Sequence, residues 1–191
     1  MSSLFGKRLT KRQESLKSTL EFLVRLTIFS VPLYVILYSQ GILMPMQLLV
    51  AGNVEFVLHI AGFGVAREGA LLIVNNSHQF AFFISEDCTG WKTVLLLAAL
   101  IFAVPRVKNN HRLIGLIAGI PLIYIGNLVR IYWVVAVEQV HGIEYAMLIH
   151  DIFWHAGLIS IALAFWGVWF YYSKKKEKSF LSNVYKLFGF K

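Results

Sequence analysis

Cys88 is the chain's single cysteine, so the sequence holds one thiol and no internal disulfide or multi-cysteine zinc site. It stands in SEDCTGWK, directly before an apolar run. A helix start there favours thiolate through free backbone N–H groups and the positive end of the helix dipole, while Glu86 and Asp87 oppose it. A reactive thiol at this place therefore needs a cation nearby. Arg130 is a candidate, because an arginine inside an otherwise apolar stretch is costly unless it is paired or hydrated. Asn127 lies one turn earlier on the same helix face. His150, followed by Asp151, and His155 further along offer acid/base groups. A cysteine with a histidine in reach is the minimum apparatus for nucleophilic acyl transfer, with Arg130 or Asn127 available to a developing oxyanion. Each residue also has a plain structural reading: a packing thiol, an ion pair of Arg130 with Glu138 or Asp151, and hydrogen-bonded interfacial histidines. His59, His78, His111 and His141 form no close pair on one helix face, so neither a metal, a haem nor any other cofactor is indicated.

The elements that carry these groups are those of a membrane protein. The 191 residues are 58% apolar and 15% charged, with mean hydropathy +0.66, too apolar for a soluble domain of this length. The net charge of +8 is concentrated in tails and one short loop instead of an amphipathic face, which argues against nucleic-acid binding. Runs long enough to cross a bilayer, about 20 residues, are expected at about 19–38, 90–104, 113–137 and 150–172, giving about four transmembrane helices. The apolar segment after the basic start is too long for a signal-peptide core and is read as retained.

Positive charge in flanking segments orients such spans. Lys7, Arg8, Lys11, Arg12 and Lys17 precede the first span, and Arg106, Lys108 and Arg112 follow the second. Lys174, Lys175, Lys176, Lys178, Lys186 and Lys191 follow the last. These regions belong inside. Residues 40–89 and 138–149 hold Arg67 as their one cation against Glu55, Glu68, Glu86, Asp87, Glu138 and Glu144, so they belong outside. Four spans satisfy every assignment, place both termini in the cytoplasm, and gather Cys88, Arg130 and His150 in the outer half of the membrane. Residues 41–66 are apolar and nearly long enough to cross, but a span there would break the charge pattern. They are read as a helix in the outer interface or packed against the bundle, with a fifth span as the alternative. ALLIVNNSHQFAFFIS then reads as a short extracytoplasmic β-hairpin around its Asn-Asn-Ser turn. The fold expected is an all-α polytopic membrane protein, a single integral membrane domain over 1–191. Its parts are a basic tail 1–18, an extracytoplasmic or interfacial segment 41–89, a catalytic core 86–166 and a basic tail 173–191.

Three blocks, EDCTGWK at 86–92, NLVRIYW at 127–133 and HDIFWHAG at 150–157, resemble in kind, order and placement the cysteine, arginine and histidine blocks of the exosortase and archaeosortase family of membrane transpeptidases. The short chain, and Thr89 where bacterial members often have serine, resemble the archaeal branch. The resemblance implies a membrane cysteine protease/transpeptidase at the cell membrane. Its partners would be exported proteins ending in a short signature, a hydrophobic helix and a basic tail. It would cut near the signature and pass the new carboxyl end to a surface or lipid acceptor. It implies Cys88 as nucleophile, Arg130 as transition-state stabiliser and His150 as acid/base, with His155 as the alternative to His150, and Asn127 and Asp151 in support. Simple hydrolysis by the same residues is a variant of this reading. The rival class is a non-enzymatic membrane scaffold or transporter subunit in which Arg130 makes a structural ion pair.

Overall fold

The computed structural model describes residues 11–38, 43–152 and 156–187. The first ten residues, the last four and His155 lie outside the described residues. The structure is mostly helical, with one small sheet. Helix α1 is Lys11–Tyr38 and α2 is Met44–Ile60. Strands β1 (Gly64–Glu68), β2 (Leu71–Asn75) and β3 (Gln79–Phe83) follow, then a 3-10 turn, Glu86–Thr89. Helices α3 (Trp91–Ala103), α4 (Asn109–His141), α5 (Ile143–Ile152) and α6 (Leu158–Leu187) complete the chain.

Among the described residues, two stretches are long and apolar enough to cross a membrane, Arg12–Ile36 and Asn109–His141. α2 and α3 are apolar but shorter, 17 and 13 residues, or about 25 and 20 Å at 1.5 Å per residue. α4 begins and ends beyond the expected 113–137 and continues through Pro121. The helix expected to open at His150 starts earlier: α5 begins at Ile143 and packs on α4, and residues 156–157 are π-helical and lead into α6. His150 lies in the last turn of α5. Gly142 at φ +83° ends α4 and allows the reversal.

The expected hairpin is present as β2 and β3, and β1 extends it to a three-stranded antiparallel sheet in the order β1-β2-β3. The apolar segment 41–66 is helical only as far as Ile60; Gly62 at φ +89° turns the chain, and residues 64–66 open β1 instead. α2 buries Gln47, Val50, Ala51, Val54 and Leu58, a stripe at helical spacing. They pack with Leu72 and Val74 of β2, Ile84 just after β3, and Ile131 and Val135 of α4 into one core, and Cys88 abuts it. A second core joins α3, α4 and α6 through Leu97, Ile101, Ile123, Ala162 and Trp169. Gly115 and Gly119 let α6 and α3 approach α4: a Cβ on Gly119 would lie 2.5 Å from Leu97 and 2.7 Å from Phe165. Close approach over small residues is how helices associate where the surroundings are as apolar as the side chains.

Candidate active site

β3 delivers the chain to the thiol. Ile84 is buried, its N–H donating to Ala70 O at 2.9 Å and its carbonyl accepting from Gln47 Nε2 at 3.2 Å. This pins the strand end to both the sheet and α2. The turn that follows is closed locally. Cys88 N–H donates to Ser85 O (3.0 Å), and the Thr89 hydroxyl to Glu86 O (2.8 Å). Gly90, at φ +79°, takes the left-handed conformation that a side chain resists and then opens α3 as its N-cap. Cys88 thus sits in the 3-10 turn next to the start of α3, where the sequence places it.

Two groups hold and polarise this turn. Asn127 of α4, fully buried, donates from Nδ2 to Cys88 O at 2.7 Å, and its side chain lies 3.4–3.6 Å from where a Cβ on Gly90 would stand. The Ser85 hydroxyl donates to Cys88 Sγ at 3.3 Å. Asp87, expected to oppose a thiolate, is paired with Lys92 Nζ at 2.5 Å.

Arg130 comes from the same helix, one turn beyond Asn127, and is buried at 5% exposure. Its side chain lines the same cavity as Cys88. Glu138, considered as its ion-pair partner, is engaged elsewhere. Its buried carboxylate lies 2.6 Å from His78 Nε2 and accepts from Gln139 Nε2 at 2.8 Å. Gln139 in turn accepts from Ser77 N–H at 3.1 Å, so the end of α4 clasps the β2–β3 turn.

The third residue comes from α5. His150, Cys88 and Arg130 line one cavity of about 220 Å³. Its remaining walls are apolar: Phe80, Phe82, Phe83 and Ile84 from the strand end, Ile131, Val134 and Val135 from α4, and Ile143, Ala146 and Met147 from α5. His150 Nδ1 stands 3.5 Å from Asp151 Oδ1, and Asp151 itself is well exposed. Three of the expected residues are therefore brought together, Asn127 supports them from behind the turn, and Asp151 stands at the rim beside His150. A thiol, a guanidinium and an imidazole in an apolar cavity are groups of the kind that can attack a carbonyl, hold the resulting oxyanion and move a proton. Sequence reading passed over Ser85 and the β3 aromatics. Ser85 offered only its spacing of three from the cysteine, and the aromatics offered only strand propensity.

The profile of the transmembrane exosortase (EpsH) family matches residues 9–171, a range that contains every residue just described. No curated protein and no solved structure matches the chain significantly. The apolar helices and this match together make the chain a membrane protein, and it belongs to the transmembrane exosortase family.

Proposed function

We propose that this protein is a membrane cysteine transpeptidase. On this reading it cleaves a C-terminal sorting signal of exported proteins and transfers the new carboxyl end to a surface or lipid acceptor. The observation that carries the reading is the meeting of Cys88, Arg130 and His150, from three separate elements, in one cavity. The Cys88 thiolate attacks the scissile carbonyl carbon, and the charge that develops on its oxygen is stabilised by Arg130. The C–N bond breaks as the amine takes a proton from His150, leaving a thioester on Cys88. An acceptor nucleophile then attacks the thioester, its proton passes to His150, and the thiolate departs. Walls of phenylalanine and aliphatic side chains exclude water, which favours transfer over hydrolysis.

The basic tails orient both termini to the cytoplasm and the cavity toward the outer face, where exported proteins arrive. With α3 and α6 counted as crossing segments, the chain spans four times and the sheet lies outside. The test is processing of an exported protein with a signature, apolar helix and basic tail, in cells carrying Cys88→Ala, Arg130→Ala, His150→Ala or His155→Ala. The first three abolish processing at unchanged protein level, and His155→Ala spares it. Retained processing in Cys88→Ala refutes the proposal, and the mass of the product's new C-terminus separates an attached acceptor from water.

A further inference from the structure

The strand that leads to the thiol is the free edge of the sheet. β2 lies on one side of β3, and no described strand pairs with its other side. The phase of the ladder shows which backbone groups this leaves open. Ile84 N–H bonds to Ala70 O, and the register pairs Leu72 with Phe82 and Val74 with Phe80. In an antiparallel ladder, residues that exchange hydrogen bonds alternate with those that do not. Ile84, Phe82 and Phe80 therefore direct their N–H and C=O groups toward β2, and Phe83, Ala81 and Gln79 direct theirs outward. An open row of this kind is a template for another strand.

The cavity meets that edge. Successive strand residues point to opposite faces, yet Phe82 and Phe83 both line the cavity, so it reaches around the strand's border instead of lying under one face. Met147 and His150 of α5 also line it, as does Cys88. A strand added along that edge, about 4.8 Å from β3, would therefore border the cavity that holds the thiol.

We propose that the segment to be cleaved binds as an added fourth strand on β3, recognised chiefly through its main chain. This rests on the transpeptidase reading and names the form in which that site takes its substrate: an extended peptide. Bonds to Phe83, Ala81 and Gln79 set its register, so that one carbonyl is presented to Cys88. The phenylalanine walls select apolar side chains at alternate positions.

Purified full-length protein in detergent is labelled with an N-acetyl tetrapeptide of valine and leucine ending in a chloromethyl ketone. The Cys88 thiolate displaces chloride from the methylene carbon, forming the C–S bond as C–Cl breaks. Chloroacetone, with the same reactive group and no peptide, reports intrinsic thiol reactivity. Ala81→Pro removes one outward N–H and puts a ring on the edge while sparing the β2 ladder. It is expected to slow peptide labelling at least about tenfold and to leave chloroacetone labelling within about twofold. On the wild-type protein, N-methylation of the probe is expected to slow labelling only at alternate residues. Wild-type peptide labelling in Ala81→Pro overturns strand addition, as does an N-methyl series without the two-residue alternation. Should the proline slow both reagents, the wild-type N-methyl series decides. Failure here with Cys88→Ala still blocking processing removes strand addition alone, whereas processing that survives Cys88→Ala removes the transpeptidase reading beneath it.

Discussion

Asn127 makes the sharpest prediction, because it touches the backbone of the turn and not the sulfur. Its Nδ2 donates to Cys88 O at 2.7 Å from a fully buried position, while its Oδ1 is buried without a partner among the described residues. Asn127→Leu removes the donor and leaves a carbonyl unsatisfied, a loss of about 1–3 kcal/mol. It also relieves the stranded Oδ1, which offsets part of that loss. The net is about 1–2 kcal/mol, or a five- to thirtyfold fall in the ratio of correctly set to unset 86–90 turn. Processing of a tailed substrate should fall, by up to that factor, while the protein stays folded. Asn127→Asp has nearly the same shape, but its carboxylate, kept ionised by Arg130 one turn along the same face, sets two acceptors against each other. Processing should therefore rank wild type, then Leu, then Asp. The assay is the initial rate of product formation at matched protein level, with melting in detergent as the control for fold. If shape alone mattered, Asp would outperform Leu, and that order would refute the positioning role.

Arg130→Lys keeps the charge but loses the planar fork; processing should fall at least about tenfold, and a rate equal to wild type would reduce Arg130 to a point charge. Gly115→Ala should destabilise the helix bundle by about 1–3 kcal/mol, since its Cβ would stand 2.6 Å from Trp169 Nε1, which donates to His111 O at 2.9 Å. Gly167→Ala, with nothing within 4 Å, should gain up to about 1 kcal/mol, and melting in detergent reads both signs. Glu138→Leu removes the acceptor for His78 and Gln139; faster hydrogen exchange over residues 75–80, at about 1–3 kcal/mol less protection, is the expected result.

Charge and apolar run length made much of this structure legible. The two clear spans and the position of α3 follow from where Lys and Arg interrupt apolar sequence. The Asn-Asn-Ser turn marked the β2–β3 hairpin because those residues are poor in strands and good in tight turns. β1 was hidden because GVARE is short, carries two charges, and adjoins an apolar helix whose end has no proline or charge to announce it. The start of α5 was hidden for a different reason. Residues 138–149 hold Glu138 and Glu144 and read as an outer connection, with the helix expected only from His150. α5 begins at Ile143 instead, because Gly142 reverses the chain and lets this segment find a face on α4, which is a tertiary preference with no local signature.

The early start of α5 changes how the site is built. With His150 at the start of a span, the imidazole would sit on the membrane's rim. Gly142 instead reverses the chain directly out of α4, so α5 runs from Ile143 against α4 and brings His150, with Ala146 and Met147, to the cavity. The thiol and the arginine belong to different elements, a turn fixed by the sheet and a long helix in the bundle. Asn127 ties the two together through Cys88 O. The geometry of all three groups therefore rests on α4, which carries Arg130, holds the cysteine turn through Asn127 and packs against the helix that brings His150.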